Sequence, residues 1–252
     1  MINRTKYFIG NWKMFGRPNY HKILEKIHRY VIQDKKLENT KIVACVPSTL
    51  LMLYSKKLRK SLIHIGAQNC SEFESDGPYT GSLSAKIIKD AGAKYVIIGH
   101  SESRQQGDTN YIIQKKINSA NKLGLKIIFC FGETFNQKNK KKTKIVIKRQ
   151  IQEAILNKDI LKNIIFAYEP VWSIGTGKVP DVKNLNIIVD SIRKFIKSKY
   201  KVYAKVKILY GGSVDPSNVK KLKLINEIDG FLIGGASKSA KKFIDILKNY
   251  YK

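Results

Sequence analysis

Acidic residues are scarce. Against 48 lysines and arginines, the 252-residue chain has 19 aspartates and glutamates, a formal charge of +29. Cysteine is scarcer still. Cys45, Cys70 and Cys130 are three residues with no C-x-x-C spacing, which argues against a disulfide framework and fits reduced thiols. The four histidines, His21, His28, His64 and His100, form no H-x-H or H-E-x-x-H pair, so no metal site is legible. With Gly at 17 and Pro at 6, a collagen-like or proline-rich chain is excluded. Long hydrophobic runs are missing too. The longest, such as Ile127 to Phe131, fall far short of the ~20 residues a membrane helix needs. At the N-terminus, Asn3, Arg4, Thr5 and Lys6 are followed only by Tyr7 to Ile9 before Gly10. That is too little apolar chain for an export signal, so the expected compartment is the cytosol.

What is present is enough apolar material for a sizeable core, 43% of residues. The length suits one or two ordinary domains, or one α/β barrel of about 250 residues. The charge suggests anionic partners, nucleic acid among them. Two observations favour a lysine-rich surface set by genome composition. Lysines are scattered through every segment, and Ile, Asn, Lys and Tyr, favoured by AT-rich coding, are abundant. The one dense run, Lys138 to Lys144, lies between a strand-like and a helix-like segment and reads as a solvated loop and first helical turn. No aromatics interleave with it as a stacking platform requires. No specific nucleic-acid or membrane partner is expected.

Short β-branched or aromatic runs recur along the chain: Tyr7–Ile9, Lys41–Val46, Leu62–Gly66, Tyr95–Ile98, Lys126–Phe129, Ile164–Tyr168, Val206–Tyr210 and Gly230–Ile233. Between them, apolar residues fall at helical spacing. Ile23, Ile27 and Tyr30 share one expected face, Ile145, Ile151 and Ile155 another, and Ile188, Ile192, Phe195 and Ile196 a third. Apolar strands alternating with amphipathic helices indicate a parallel sheet. Eight such units without a long linker favour an α/β fold closed as a (β/α)8 barrel, one domain over residues 1–252.

Barrel chemistry sits at the C-terminal ends of the strands. There the sequence places Asn11-Trp12-Lys13, Gln68-Asn69, His100-Ser101-Glu102, Gly132-Glu133, Glu169-Pro170, Gly211-Gly212-Ser213 and Gly234-Gly235. An amine, an imidazole and several carboxylates converge on one face. The glycine pairs after strands 7 and 8 suit a phosphate, because glycine admits close backbone approach and a helix N-terminus supplies N–H donors.

With these motifs the chain resembles the triosephosphate isomerase family over essentially its whole length. The resemblance rests on Gly10-Asn11-Trp12-Lys13-Met14, Gly66-Ala67-Gln68-Asn69, Gly99-His100-Ser101-Glu102, Cys130-Phe131-Gly132-Glu133, Ala167 to Trp172, Ile174-Gly175-Thr176-Gly177-Lys178, Tyr210 to Val214 and Gly234-Gly235-Ala236-Ser237. Alone, Gly175-x-Gly177-Lys178 could pass for a nucleotide loop. A Walker loop needs Gly at Trp172 and Ser or Thr at Val179, so it fails. The resemblance implies a TIM barrel. It also implies cofactor-free interconversion of dihydroxyacetone phosphate and D-glyceraldehyde 3-phosphate, a step of glycolysis and gluconeogenesis, by a cytoplasmic homodimer. The family's known base, neutral histidine and closing loop then fall on Glu169, His100 and residues 170–180. Lys13 supplies a fixed positive charge, Asn11 and Glu102 a supporting polar shell, and Gly175, Ser213, Gly234 and Gly235 the phosphate grip.

Four positions depart from the family pattern. Ser82 stands where Glu is usual and Ser103 where Arg is usual, a charge pair expected across the dimer interface and lost together here. Pro180 ends the lid, and Lys238 replaces an apolar Leu in the last loop. Two other readings compete. Another phosphate-binding barrel, such as a sugar-phosphate isomerase of amino-acid biosynthesis, would share the glycine grips but not Asn11, Lys13, His100 and Glu169 together. A nucleic-acid binder would show steeply salt-dependent affinity.

Overall fold

The computed structural model describes residues 5–202 and 206–252. Asn3 and Arg4, used above to read the N-terminus, lie outside them. Eight parallel strands close on themselves in sequence order. They are β1 (Lys6–Asn11), β2 (Thr40–Cys45), β3 (Ile63–Ala67), β4 (Tyr95–Ile98), β5 (Lys126–Phe131), β6 (Ile164–Tyr168), β7 (Lys207–Tyr210) and β8 (Gly230–Ile233). Helices α1 (His21–Gln33), α2 (Leu51–Lys57) and α3 (Ala85–Asp90) follow the first three strands. β4 is followed by α4 (Ser101–Gln105) and α5 (Asn110–Lys122), and β5 by α6 (Phe135–Asn139) and α7 (Thr143–Ala154). α8 (Val182–Tyr200), α9 (Val219–Leu222) and α10 (Ala240–Tyr251) complete the outer layer.

Side chains alternate across each strand, and the alternation sorts them by size. Ile9, Val43, Cys45, Ile97, Ile128, Cys130, Ile165, Ala167, Leu209 and Leu232 fill the barrel interior. Their neighbours Phe8, Ile42, Phe129, Phe131, Phe166, Tyr168, Tyr210 and Phe231 point outward into the layer under the helices. Most large aromatics face the roomier outer layer, whereas small or branched residues, together with Tyr95, fill the narrow centre. Fully burying one such side chain stabilises the fold by about 1.5–3 kcal/mol. All three cysteines are free and buried.

The sheet closes where β1 meets β8, with Tyr7 opposite Gly230. Gly230 has φ +144°, and a Cβ there would lie 1.8 Å from the Tyr7 carbonyl oxygen, so only glycine lets this seam close. Just before it, fully buried Asp229 accepts from Arg193 at 3.0 Å and from the Ile208 amide at 2.8 Å, tying α8 to β7 and β8.

The expected helix faces are partly displaced. On α1 the buried stripe is Leu24, Ile27 and Val31, with Ile23 and Tyr30 flanking it. On α7 the stripe is Val146, Ile147, Ile151 and Ala154, whereas Ile145 is 68% exposed. Ile192 and Ile196 are buried on α8 as expected, with Ile188 and Phe195 at the margin. No helix among the described residues is long and apolar enough to cross a membrane.

Candidate active site

The inward parity of the strands continues past their ends. Asn11 follows Ile9, Glu169 follows Ala167 and Gly211 follows Leu209, so a polar layer caps the apolar interior at its C-terminal mouth. A cavity of about 530 Å³ opens there, lined by Asn11, Lys13, His100, Glu169, Gly175, Ser213, Gly234 and Gly235 among others. Of the residues expected in the site, Glu102 alone stands outside the lining, behind Lys13.

His100 is the N-cap of α4. Its Nδ1 accepts the Glu102 amide N–H at 3.2 Å. A nitrogen that accepts a hydrogen bond carries no proton, so the neutral imidazole holds its proton on Nε2. Nε2 lies 3.4 Å from Glu169 Oε1 and points into the cavity.

Glu169 is 2% exposed. Burial raises its carboxyl above the usual carboxylate range, and His100, Lys13, the Ser101 amide and the Cys130 thiol offset part of that rise. Its Oε2 has no hydrogen-bond partner among the described residues. A buried carboxylate with an unpartnered oxygen is poorly satisfied for structure, which marks it as a candidate for a functional role. Room for it comes from Gly211, where a Cβ would stand 2.8 Å from Glu169 Cγ and 3.3 Å from Oε1.

Lys13 adopts φ +54°, which costs a non-glycine residue of order 1 kcal/mol. Its amide donates to Asn11 Oδ1 at 3.1 Å, and its carbonyl accepts from Gln68 Nε2 at 3.0 Å. These bonds hold the strained turn and aim the ammonium at the cavity. The ammonium pairs with Glu102 Oε1 at 2.7 Å. Burial works to raise the Glu102 carboxyl. The Lys13 hydrogen bond and the nearby His100, Lys13 and Lys238 outweigh it and hold the carboxyl below its ordinary value.

Residues 170–180 cover the cavity from the side of Gly175 and Gly177. The Gly177 amide donates to Ser213 Oγ at 3.1 Å, and Ser213 Oγ donates to the Ser173 carbonyl at 2.8 Å. Near the other end of the segment, Ser173 Oγ donates to the Lys178 carbonyl at 2.6 Å and meets Tyr210 OH at 3.0 Å. At its base, Trp172 Nε1 donates to Glu133 Oε1 at 2.9 Å, and Tyr168 OH donates to Glu133 Oε2 at 3.1 Å. Glu133 and Trp172 stand in the motifs quoted above, but no sequence signal assigned them this joint.

Lys138 adds a contact to the basic run, whose lysines are exposed as expected. It lies in α6, and its ammonium sits 3.7 Å from the centre of the Trp172 ring and 6.0 Å from that of Phe135. The residue is exposed, as a solvated run requires, and it also meets an aromatic ring. It braces the segment's anchor, a contact worth roughly 0.5–1 kcal/mol at an exposed site. Lys138→Ala is expected to lower kcat/KM about threefold to tenfold and to shift Trp172 fluorescence. Neutralising Lys140, Lys141 and Lys142 together is expected to leave kcat unchanged and to lower kcat/KM modestly at low salt only. Steady-state kinetics at two salt concentrations separate the two effects.

Glycine-rich backbone at one end of the cavity and acid–base side chains at the other mark a phosphate-binding (β/α)8 enzyme. The comparisons narrow this class. The triosephosphate isomerase family model matches residues 6–250. The triosephosphate isomerase of Dictyoglomus thermophilum is 41% identical over 251 residues, covering 98% of this chain and 100% of that protein. That of Mesorhizobium japonicum is 40% identical over 243 residues, covering 96% and 94%. The crystal structure of triosephosphate isomerase from Bartonella henselae superposes with a TM-score of 0.88 at 35% identity, covering 98% of this chain and 100% of that one. The chain belongs to the triosephosphate isomerase family and is an isomerase.

Proposed function

We propose that Glu169, His100 and Lys13 interconvert dihydroxyacetone phosphate and D-glyceraldehyde 3-phosphate through an enediolate. The observation that carries this is the facing pair, Glu169 Oε1 and His100 Nε2 at 3.4 Å, with the Lys13 ammonium on the same cavity wall. Glu169 removes a proton from the carbon next to the carbonyl. The electron pair of that C–H bond forms the carbon–carbon double bond, and negative charge develops on the former carbonyl oxygen. His100 donates its Nε2 proton toward that oxygen, and Lys13 stabilises the charge. His100 Nε2 takes up the proton of the neighbouring hydroxyl, whose oxygen becomes the new carbonyl, as Glu169 returns its proton to the former carbonyl carbon, which yields the other triose phosphate. Asn11 orients Lys13, and Glu102 holds it between turnovers. The phosphate is taken by backbone N–H groups around Gly175, Ser213, Gly234 and Gly235. The segment from Pro170 to Pro180 excludes water, which protects the enediolate from losing phosphate.

A coupled assay with D-glyceraldehyde 3-phosphate tests the activity. Solvent-deuterium incorporation at carbon tests the base. Glu169→Gln is expected to abolish both, and undiminished exchange in that variant would remove Glu169 from the role.

The same reading includes a homodimer in the cytoplasm, with the whole chain forming one domain. Its support is exposure. Met14, directly after Lys13, is fully exposed, and residues 68–84 form a long loop in which Phe73 and Tyr79 stack at 3.5 Å without a core beneath them. The loop around Thr80 would cover the partner's Asn11 and Glu102. Because Ser82 and Ser103 are both uncharged, Ser103→Arg alone is expected not to tighten the dimer. Adding Ser82→Glu is expected to tighten it. Dilution monitored by light scattering reads the difference, and tightening by the lone arginine would contradict the paired loss.

A further inference from the structure

The cavity does not end at the glycine grip. Its wall continues along Asp215, Pro216 and Ser217 and reaches Lys242. Lys242 lies in the first turn of α10, and Asn249, two helical turns later, lies on the same face. Asn249 Nδ2 donates to the Pro216 carbonyl at 2.8 Å, so this face packs on the turn after β7 and directs Lys242 toward the cavity. Its ammonium has no hydrogen bond or ion pair among the described residues.

Asp215 is the difficulty at this wall. Its Oδ1 accepts the amides of Ser217 at 2.8 Å and Asn218 at 3.0 Å, and the Ser217 hydroxyl. Burial works to raise its carboxyl, but these bonds and the Lys242 charge hold it below its ordinary value. An ionised carboxylate therefore lines the end of the cavity that must receive a phosphate dianion. Lys13, the other lining ammonium, is engaged by Glu102 at the reacting end.

We propose that Lys242 is a positioning residue for the substrate phosphate, offsetting Asp215 and drawing the dianion onto the backbone donors of Ser213, Gly234 and Gly235. The proposal rests on the function given above. A cation at this end of the cavity, opposite the acid–base side chains, acts on binding through space and not on the reacting carbons. In Lys242→Gln, KM and the inhibition constant for inorganic phosphate are expected to rise about threefold to tenfold at low salt. The rise should shrink near 0.15 M salt, where screening reaches ~8 Å, and kcat should change less than about twofold. Lys242→Arg should keep most of the affinity. Asp215→Asn placed in the Lys242→Gln background should restore most of it, a rescue that a merely structural lysine would not show. Unchanged phosphate inhibition in Lys242→Gln, a fall in kcat at constant KM, or failure of the Asp215→Asn rescue would each overturn the proposal. A wild-type chain lacking isomerase activity would instead overturn the function. Calorimetric phosphate affinities of the wild type and variant would still decide this inference.

Discussion

Shortening Glu169 to aspartate is expected to lower kcat about a hundredfold while leaving KM nearly unchanged. The change draws the carboxylate back by about 1 Å, and misplacement of that size is enough for such a loss. The surroundings give it little means of following the substrate. Its amide is fixed to the Phe131 carbonyl at 2.8 Å, and the side chain is enclosed by Gly211, Cys130 and His100. The same burial sets the pH dependence. A base must be ionised, and burial raises this carboxyl, so kcat/KM should fall as pH drops through a range above that of an ordinary glutamate. A pH–rate profile whose acid limb lies at or below the ordinary range would contradict the effect of burial. An aspartate variant with near wild-type turnover would show that the carboxylate is not the base.

Gly211→Ala should reach the same atom from the other side. The added methyl would meet Glu169 Cγ at 2.8 Å, closer than carbon atoms pack, and every atom it meets belongs to the Glu169 side chain, which must shift. A tenfold to hundredfold loss of kcat is expected, with little change in KM or melting temperature. A large drop in melting temperature would mean that the barrel wall moves instead. Wild-type kcat would mean that the carboxylate tolerates displacement, which would weaken both predictions together.

Much of this arrangement was legible in the sequence, and the failures have physical causes. Strands β4, β6 and β8 run as expected because each is a continuous apolar run with a polar or glycine boundary. β1 is longer than Tyr7–Ile9 because Gly10 and Asn11, which resemble a loop, stay in register with Ala44 and Cys45. Ladder pairing overrides their poor strand propensity. Spacing alone places Ile145 inward, but the adjacent Val146 and Ile147 compete for the same face of α7 and win it.

In the site, Asn11, Lys13, His100 and Glu169 could be placed because strand parity and strand-end position say where such residues must point. Lys138 and Lys242 could not. Each is a lysine among many, and what distinguishes them is a Trp172 ring and an Asp215 turn from other parts of the chain. The strain at Lys13 was equally invisible, since nothing in its residue type marks a left-handed backbone.

The seam between β1 and β8 has a consequence for how the protein is made. The first strand of the barrel cannot complete its pairing until almost the last segment exists, because Tyr7 pairs with Gly230. On a ribosome adding ~5–20 residues per second, the wait is roughly ten to forty seconds. Throughout it, one side of β1 presents unpaired backbone groups, the kind of edge on which other chains can assemble. Nascent chains are therefore most vulnerable to mispairing just before the final strand emerges, and a slow codon stretch upstream of β8 would lengthen that exposure.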